Sequence, residues 1–174
     1  MRHLWMLALL ASPALADQYG TTNPEELTWR SVRDKAERGQ TDMMTCAAGY
    51  MMTKSGDHDT ARAIFEACAA AGYTRAMTWM SYMEQNGFGG AFNPEAAADW
   101  DRQAAEAGDP VGQFNHGLDL MRGFGTRQDE ARGRDMIDRA AHAGLEIAQR
   151  LQGADYNLDE VTPDADNWRY APLF

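Results

Sequence analysis

The chain has 174 residues, a formal net charge of −10 at pH 7, two cysteines and 44% hydrophobic residues. This length suits a single domain. Nucleic acid and anionic membrane surfaces carry the same sign of charge and repel such a chain, so neither is an expected partner.

Residues 1–16 form the first predicted element, a secretory signal peptide. Arg2 gives a short basic start, and the apolar run 4–11 is too short to cross a bilayer as a helix. Ala14-Leu15-Ala16 then offers a small-x-small cleavage site. The alternative is a buried N-terminal helix. Cleavage after Ala16 predicts a periplasmic or secreted protein with no membrane insertion after cleavage.

Residues 17–40 are predicted to hold an N-terminal capping helix, running from about Pro24 to Arg38. Asn23 stands at its N-cap position, and proline follows in the first turn, where its missing N–H costs nothing. Gly39 closes the helix, because glycine accepts the left-handed conformation that often ends one.

Three similar stretches then begin at residues 66, 102 and 138, with a spacing of 36 residues. They read EACAAAGYTRAMTWMS, RQAAEAGDPVGQFNHG and DRAAHAGLEIAQRLQG. A constant period of this size indicates stacked helix pairs. The predicted units are 41–73, 74–109, 110–145 and a partial unit 146–153. The predicted helices span about 41–53, 59–71, 74–86, 94–107, 110–122, 128–143 and 146–153.

Small residues recur at equivalent positions and explain why the helices would stack. An Ala-Ala-x-Ala-Gly phrase or a close variant ends each second helix, and its thin face lets a neighbouring helix approach to about 8–10 Å. A small residue lies near the start of the facing helix. In each of two units, a Gly-Phe-Gly loop joins the first helix to the second. The residues assigned to this structural role are Gly72, Ala76, Gly87, Gly89, Gly108, Gly112, Gly117, Gly123, Gly125 and Gly144.

The first unit departs from this pattern. When Gly49 is aligned with Ser81 and Gly117, its inter-helix loop is about four residues shorter than the others and lacks the Gly-Phe-Gly element. The first unit is therefore predicted to be a helix hairpin with a tighter turn.

Residues 112–117 with Gly123-Phe124-Gly125, and residues 76–81 with Gly87-Phe88-Gly89, resemble the Sel-one-like repeat (SLR), a relative of the tetratricopeptide repeat. The resemblance covers 41–153. It implies an all-α fold, a right-handed α/α superhelical solenoid of about three stacked antiparallel helix pairs plus terminal capping helices. It also implies a concave surface that binds proteins, as in exported bacterial adaptors of envelope signalling, surface assembly or stress responses.

Cys46 and Cys68 are predicted to form a disulfide. An oxidising compartment favours pairing, and residue 57, their midpoint, lies in the predicted turn, so the two cysteines reach the same height of the hairpin. Two reduced, buried thiols are the alternative. A secreted, cysteine-rich branch of the resembled family carries such bridges, and some members are described as β-lactam-binding or β-lactamase-like. Weak activity of that kind is the rival function.

Methionine and aromatic residues concentrate on the predicted first helices, which stacking places side by side along one wall. Adaptable methionines and aromatic anchors suit a groove that binds a protein or peptide segment. Core filling and, for the methionines, a Cu(I) site are the alternatives. The residues assigned to the groove are Met44, Met51, Trp79, Tyr82, Met83 and Phe114.

The sequence shows no catalytic constellation. No serine has a nucleophile-elbow or Ser-x-x-Lys spacing. Asp57, His58 and Asp59 are consecutive, so their side chains diverge instead of converging on a metal. We therefore expect no catalytic residue, no metal site and no cofactor. The predicted function is a periplasmic scaffold or adaptor whose concave groove binds a protein or peptide partner in the cell envelope.

Residues 154–174 form an acidic and aromatic tail. The stretch 155–166 is acidic and expected to be extended, and the chain then reads NWRYAPLF. So much apolar side-chain area is unfavourable in water. The tail is therefore predicted to fold back over the last half-repeat, with docking onto another protein as the alternative.

Overall fold

The structure is a computed structural model that describes residues 28–161. Within this range the chain forms eight α-helices, one short 3-10 helix (Leu158–Glu160) and no strand. The helices are α1 (Trp29–Glu37), α2 (Met43–Ser55), α3 (His58–Ala70), α4 (Thr74–Asn86), α5 (Pro94–Glu106), α6 (Pro110–Arg122), α7 (Glu130–His142) and α8 (Glu146–Gly153).

The helices pack as the sequence predicts. Helix α2 pairs with α3, α4 with α5 and α6 with α7, while α8 begins a fourth unit. Each second helix also packs against the first helix of the next unit, and this continuous stacking confirms the predicted all-α solenoid. No helix between residues 28 and 161 is long and apolar enough to span a lipid bilayer.

The predicted boundaries of α2 to α8 lie within two residues of those observed. Short polar side chains explain the accuracy, since each accepts a backbone N–H bond at a helix start. These N-caps are Asp42, Asp57, Asn93, Asp109 and Asp129.

The predicted start of the capping helix is wrong. Helix α1 begins at Trp29, because Thr28 is extended and accepts a hydrogen bond from the backbone N–H of Ser31 at 3.1 Å. Ser31 in turn accepts one from the N–H of Thr28, which completes a capping box. Asn23 and the signal peptide predicted at 1–16 lie outside the described residues.

Small residues bring neighbouring repeats together as predicted. A Cβ added at Gly112 would lie 2.5 Å from the Cβ of Ala104, well inside van der Waals contact. Ala76 and Ala148, at the equivalent positions of α4 and α8, are fully buried. The stack therefore depends on the absence of side-chain volume at these positions.

The two Gly-Phe-Gly loops also belong to the stacking interface. Gly89 and Gly125 have φ angles of +66° and +60°. A Cβ at Gly89 would lie 3.0 Å from the carbonyl oxygen of His58, and one at Gly125 would lie 1.9 Å from that of Pro94. Because His58 begins α3 and Pro94 begins α5, each loop closes on the second helix of the preceding repeat.

One position of each first helix faces one position of its paired second helix. The three pairs are Gly49 with Phe65, Ser81 with Asp101, and Gly117 with Ile137. This correspondence supports the predicted alignment of Gly49, Ser81 and Gly117. The first and third repeats fill the position with an apolar side chain, and the second repeat fills it with a hydrogen-bonded polar pair.

The first helices lie on the inner side of the stack. Helix α4 packs against α6 more extensively than α3 packs against α5 or α5 against α7, and an aromatic contact between Tyr50 and Trp79 joins α2 to α4. First helices that approach one another more closely than second helices define the concave side of a solenoid.

The described part of the tail is folded, so the predicted extended conformation is wrong for it. Val161 is 3% exposed and packs in the core formed by α6, α7 and α8. The hydroxyl of Tyr156 donates a 2.5 Å hydrogen bond to Asp138 of α7. Residues 154–161 therefore pack on the last half-repeat. The apolar end that is predicted to fold back, 167–174, lies outside the described residues.

Candidate functional site

The solvent-exposed face of α2 is largely apolar. Met44 and Met51 lie about two helical turns apart and so share one face, and they are 66% and 51% exposed. On the same side, the ammonium group of Lys54 lies 5.5 Å from the ring centroid of Tyr50. This contact is a cation–π interaction and holds the ring in place.

Helix α4 continues this surface. Its Trp79 ring lies 5.3 Å from that of Tyr50 and 5.4 Å from that of Tyr82. Trp79 also stacks on the buried Phe65 ring at 5.8 Å, so the half-buried aromatic groups of this surface are anchored in the core. We define the first-helix wall as the surface formed by Met44, Tyr50, Met51, Lys54, Trp79 and Tyr82.

The first-helix wall differs in charge from the protein as a whole. Helix α2 contains no aspartate or glutamate. Glu84, the one acid of α4, is buried and accepts a 2.6 Å hydrogen bond from Arg62. Asp119, the one acid of α6, is also buried. These three helices therefore expose no carboxylate, although the chain carries a net charge of −10.

Two residues predicted for the groove are not available for binding. Met83 is fully buried and Phe114 is 2% exposed, because both point towards the second helices and fill the core. For these residues the predicted alternative of core packing is correct. The other four, Met44, Met51, Trp79 and Tyr82, lie on the first-helix wall.

Sequence reasoning missed Tyr50 and Lys54. A tyrosine and a lysine at i and i+4 share a helix face, so the spacing alone was enough to place them beside Met51. A single tyrosine between methionines is equally compatible with a buried helix, so the spacing by itself does not predict exposure.

The predicted cysteine pair is formed. Cys46 of α2 and Cys68 of α3 are disulfide-bonded with a Cα–Cα distance of 5.9 Å. Both are fully buried, so the bond joins the two helices beneath the first-helix wall. The alternative of two reduced thiols does not describe this structure.

A second site, which the sequence reasoning did not identify, is a buried polar cluster between the second and third repeats. Asp101 of α5 accepts hydrogen bonds from the hydroxyl of Ser81 and, at 3.0 Å, from Asn115 Nδ2. Asp101 is 3% exposed and Ser81 is 1% exposed. Burial raises the pKa of Asp101 to about 7, although the two hydrogen bonds act in the opposite direction.

Asp119 belongs to the same cluster. Burial raises its pKa to about 8, the nearby Asp101 carboxylate acts in the same direction, and Arg122 partly opposes both. Its Oδ2 atom has no hydrogen-bond partner among the described residues. Burial also lowers the pKa of His116, which is 4% exposed. Below about pH 7 the carboxyl groups of Asp101 and Asp119 are therefore mainly protonated.

The two sites differ in what they are able to do. The polar cluster is buried, so substrate does not reach Ser81 or Asp101 without opening of the stack. Among residues 28–161, no group of three or more His, Cys, Asp or Glu side chains is arranged to hold a metal ion. The first-helix wall, in contrast, is open, apolar and anchored, which are the properties of a surface that binds another chain.

Comparisons with known proteins connect this geometry to a fold. No protein-family model and no curated protein matches the chain. Solved structures do match. One is a protective antigen present in uropathogenic Escherichia coli strains and displaying an SLR fold, with 22% identity and a TM-score of 0.63. The match covers 82% of this chain and 31% of the antigen, so this chain spans about a third of that protein.

A second similar structure is a Sel1 repeat protein from Oxalobacter formigenes, with 26% identity and a TM-score of 0.59. The match covers 71% of this chain and 96% of that protein. Both likenesses agree with the repeat seen in the sequence and with the stacked helix pairs of the structure. The predicted resemblance to the Sel-one-like repeat is thus confirmed at the level of the fold: the chain has the SLR fold.

Proposed function

We propose that the chain is a scaffold or adaptor that binds a protein or peptide segment along its first-helix wall. The main supporting observation is the exposure of Met44 and Met51 beside the anchored Tyr50–Trp79–Tyr82 rings. Methionine adapts to differently shaped partners, whereas aromatic rings fixed by the core lose little conformational entropy on binding. The combination favours a chain that docks apolar side chains.

The proposal places the protein in the periplasm, in envelope signalling or a stress response. Residues 1–16 have the composition of a secretory signal peptide. The buried Cys46–Cys68 disulfide supports the same location, because disulfides persist in oxidising compartments. Both arguments are independent of the first-helix wall, so a change of compartment leaves the binding proposal intact.

Site-specific crosslinking in intact cells tests the proposal. A photoreactive residue at Met51 samples the first-helix wall, and one at Arg139, an exposed residue of the second helix α7, samples the outer surface. We expect Met51 to capture a defined protein that Arg139 does not. The purified partner then binds Met51→Glu at least 10-fold more weakly than wild type, which corresponds to about 1.4 kcal/mol. Equal capture at both positions contradicts the proposal.

The rival function is β-lactam binding or weak hydrolysis, suggested by the disulfide-bearing branch of the resembled family. The bond between Ser81 and Asp101 is a serine–carboxylate contact, but Ser81 is 1% exposed. A chromogenic cephalosporin separates the two functions. We expect no turnover by pure protein, and turnover that Ser81→Ala abolishes establishes the rival.

A further inference from the structure

The described chain ends while running back along the first helices. The carbonyl oxygen of Glu160 accepts a 2.8 Å hydrogen bond from Arg150 of α8. The next carbonyl, that of Val161, accepts a 3.1 Å hydrogen bond from Arg122 at the end of α6. Successive peptide groups are therefore held by successive first helices, in the order α8 and then α6. The next first helices in this direction are α4 and α2.

Residues 162–174 are long enough to continue along that path. Neighbouring repeats lie on the order of 10 Å apart, so α2, two repeats away, is roughly 20 Å from α6. Thirteen residues, 162–174, span up to about 43 Å when extended. The segment therefore reaches the first-helix wall with length to spare.

The segment also complements the first-helix wall in composition. It reads TPDADNWRYAPLF, with large apolar side chains and two aspartates. The wall offers apolar area and the Lys54 cation and exposes no carboxylate. The outer helices offer a charged surface instead, where Arg102 pairs with Asp99 and Glu106 on α5. An aromatic segment gains less by covering such a surface, because the charged groups lose hydration.

From this path, length and composition we infer that residues 162–174 of the chain dock along its own first-helix wall. The inference rests on the proposed function only in one respect: both use the first-helix wall as the binding surface. Attachment through Val161 gives the segment an effective concentration in the millimolar range. Even an intrinsic dissociation constant of about 0.1 mM then keeps the wall mostly occupied.

Intramolecular crosslinking of the full chain tests the inference. A photoreactive residue replaces Trp168, the purified monomer is irradiated, and peptides are mapped by mass spectrometry. We expect crosslinks within one chain to residues 43–55 and 74–86. Met51→Glu should lower their yield at least fivefold, whereas Phe92→Glu should leave it unchanged. Phe92 is the matched control because it is 61% exposed and lies in the loop before α5.

Trypsin cleavage after Arg169 provides an independent readout in the unlabelled chain. Docking protects this bond, so we expect cleavage to be at least fivefold faster in Met51→Glu than in wild type or Phe92→Glu. Unchanged cleavage in Met51→Glu contradicts the inference.

Other crosslinking results overturn the inference in distinguishable ways. Crosslinks to α7 or α8 show that the segment stays on the last half-repeat. Crosslinks between chains show that a second copy receives it, and absence of crosslinks shows that it does not dock. If Met51 still captures a foreign protein in cells, the proposed function survives any of these results. If the segment docks but no foreign protein is captured, the inference stands and the proposed function fails.

Discussion

The first and second repeats are both helix hairpins, but the side chains between their two helices differ in polarity. In the first repeat, Gly49 lies under the buried Phe65 ring and a disulfide joins the helices. In the second repeat, the position equivalent to Phe65 is Asp101, held by Ser81 and Asn115. One interior is apolar and covalently closed, and the other is polar and titratable.

The comparison teaches that stacking and interior chemistry are separate requirements in this fold. The contact of Gly112 with Ala104 and the equivalent burial of Ala76 keep the repeat spacing constant on either side of the polar cluster. Once small residues have set the helix approach, the facing position accepts either a ring or a hydrogen-bonded carboxyl group. The second repeat therefore departs from an apolar core without losing its place in the stack.

The two regions also differ in exposure. Helix α6 buries ten of its thirteen residues, because α4, α5 and α7 pack against it and Val161 belongs to the same core. Helix α2 leaves Met43, Met44 and Met51 more than half exposed. The binding surface thus lies at the end of the stack where later repeats provide no cover.

Removing the Phe65 ring, which packs on Gly49 in the first repeat, has the largest expected effect on stability. Phe65→Ala should lower the free energy of unfolding by about 3–5 kcal/mol, since a fully buried ring leaves a cavity under Trp79. Urea unfolding of the oxidised protein measures the change. Phe92→Ala is the control, and its 61% exposure predicts a change below about 0.5 kcal/mol. A loss below about 1 kcal/mol for Phe65→Ala would show that the first hairpin does not depend on this ring.

Removing the Cys46–Cys68 disulfide has the second-largest expected effect on stability. The double variant Cys46→Ala/Cys68→Ala should be less stable by about 3 kcal/mol, because the bond spans 22 residues and restricts the unfolded chain. Urea unfolding again provides the measurement, and reduced wild-type protein should behave like the variant. Equal stability of oxidised and reduced wild type would mean that helix packing alone closes the first repeat.

The polar cluster predicts a smaller effect with a defined pH dependence. The folded pKa of Asp101, about 7, exceeds the ordinary value of 3.8, so the folded state retains a proton that the unfolded state releases. Stability therefore falls as pH rises from about 4 to 7. Asp101→Asn removes this penalty and should stabilise the protein by on the order of 2 kcal/mol at pH 8 and by little at pH 4. Urea unfolding at both pH values measures the difference.

Asp138→Asn is the matched control with the opposite sign. Hydrogen bonds from Tyr156 and Gln152 lower the pKa of Asp138, so its carboxylate stabilises the fold above the unfolded pKa and loses that contribution as pH falls. The substitution should therefore destabilise the protein at pH 8 and have less effect at pH 4. If Asp101→Asn also destabilises at pH 8, the carboxyl group is charged and satisfied in the folded state.

Much of the fold was predictable because its determinants are local. Asn93 and Asp109 stand immediately before their helices. The spacing of 36 residues locates the second helix of each repeat, which is α3, α5 or α7. The same approach failed at Asn23, since a plausible cap followed by proline competes with Thr28 and Ser31 only a few residues later. Local rules identify candidate caps, and packing selects among them.

The candidate site was predictable only in part. Met51 and Met83 are chemically identical residues on equivalent first helices, yet one is 51% exposed and the other fully buried. Composition and spacing do not distinguish them, because exposure depends on which neighbouring helix covers the face. The polar cluster was missed for a related reason, since Ser81, Asp101 and Asn115 are far apart in sequence and meet only across three helices.

The amino-acid sequence by itself determined the stack: small residues at a regular spacing and a hydrogen-bonding cap before most helices specify local geometry, and repeated local geometry specifies a solenoid. Only the tertiary structure decided which methionines face solvent and which carboxyl groups keep their protons. Both properties depend on burial, and burial of a side chain is set by neighbours contributed from other repeats.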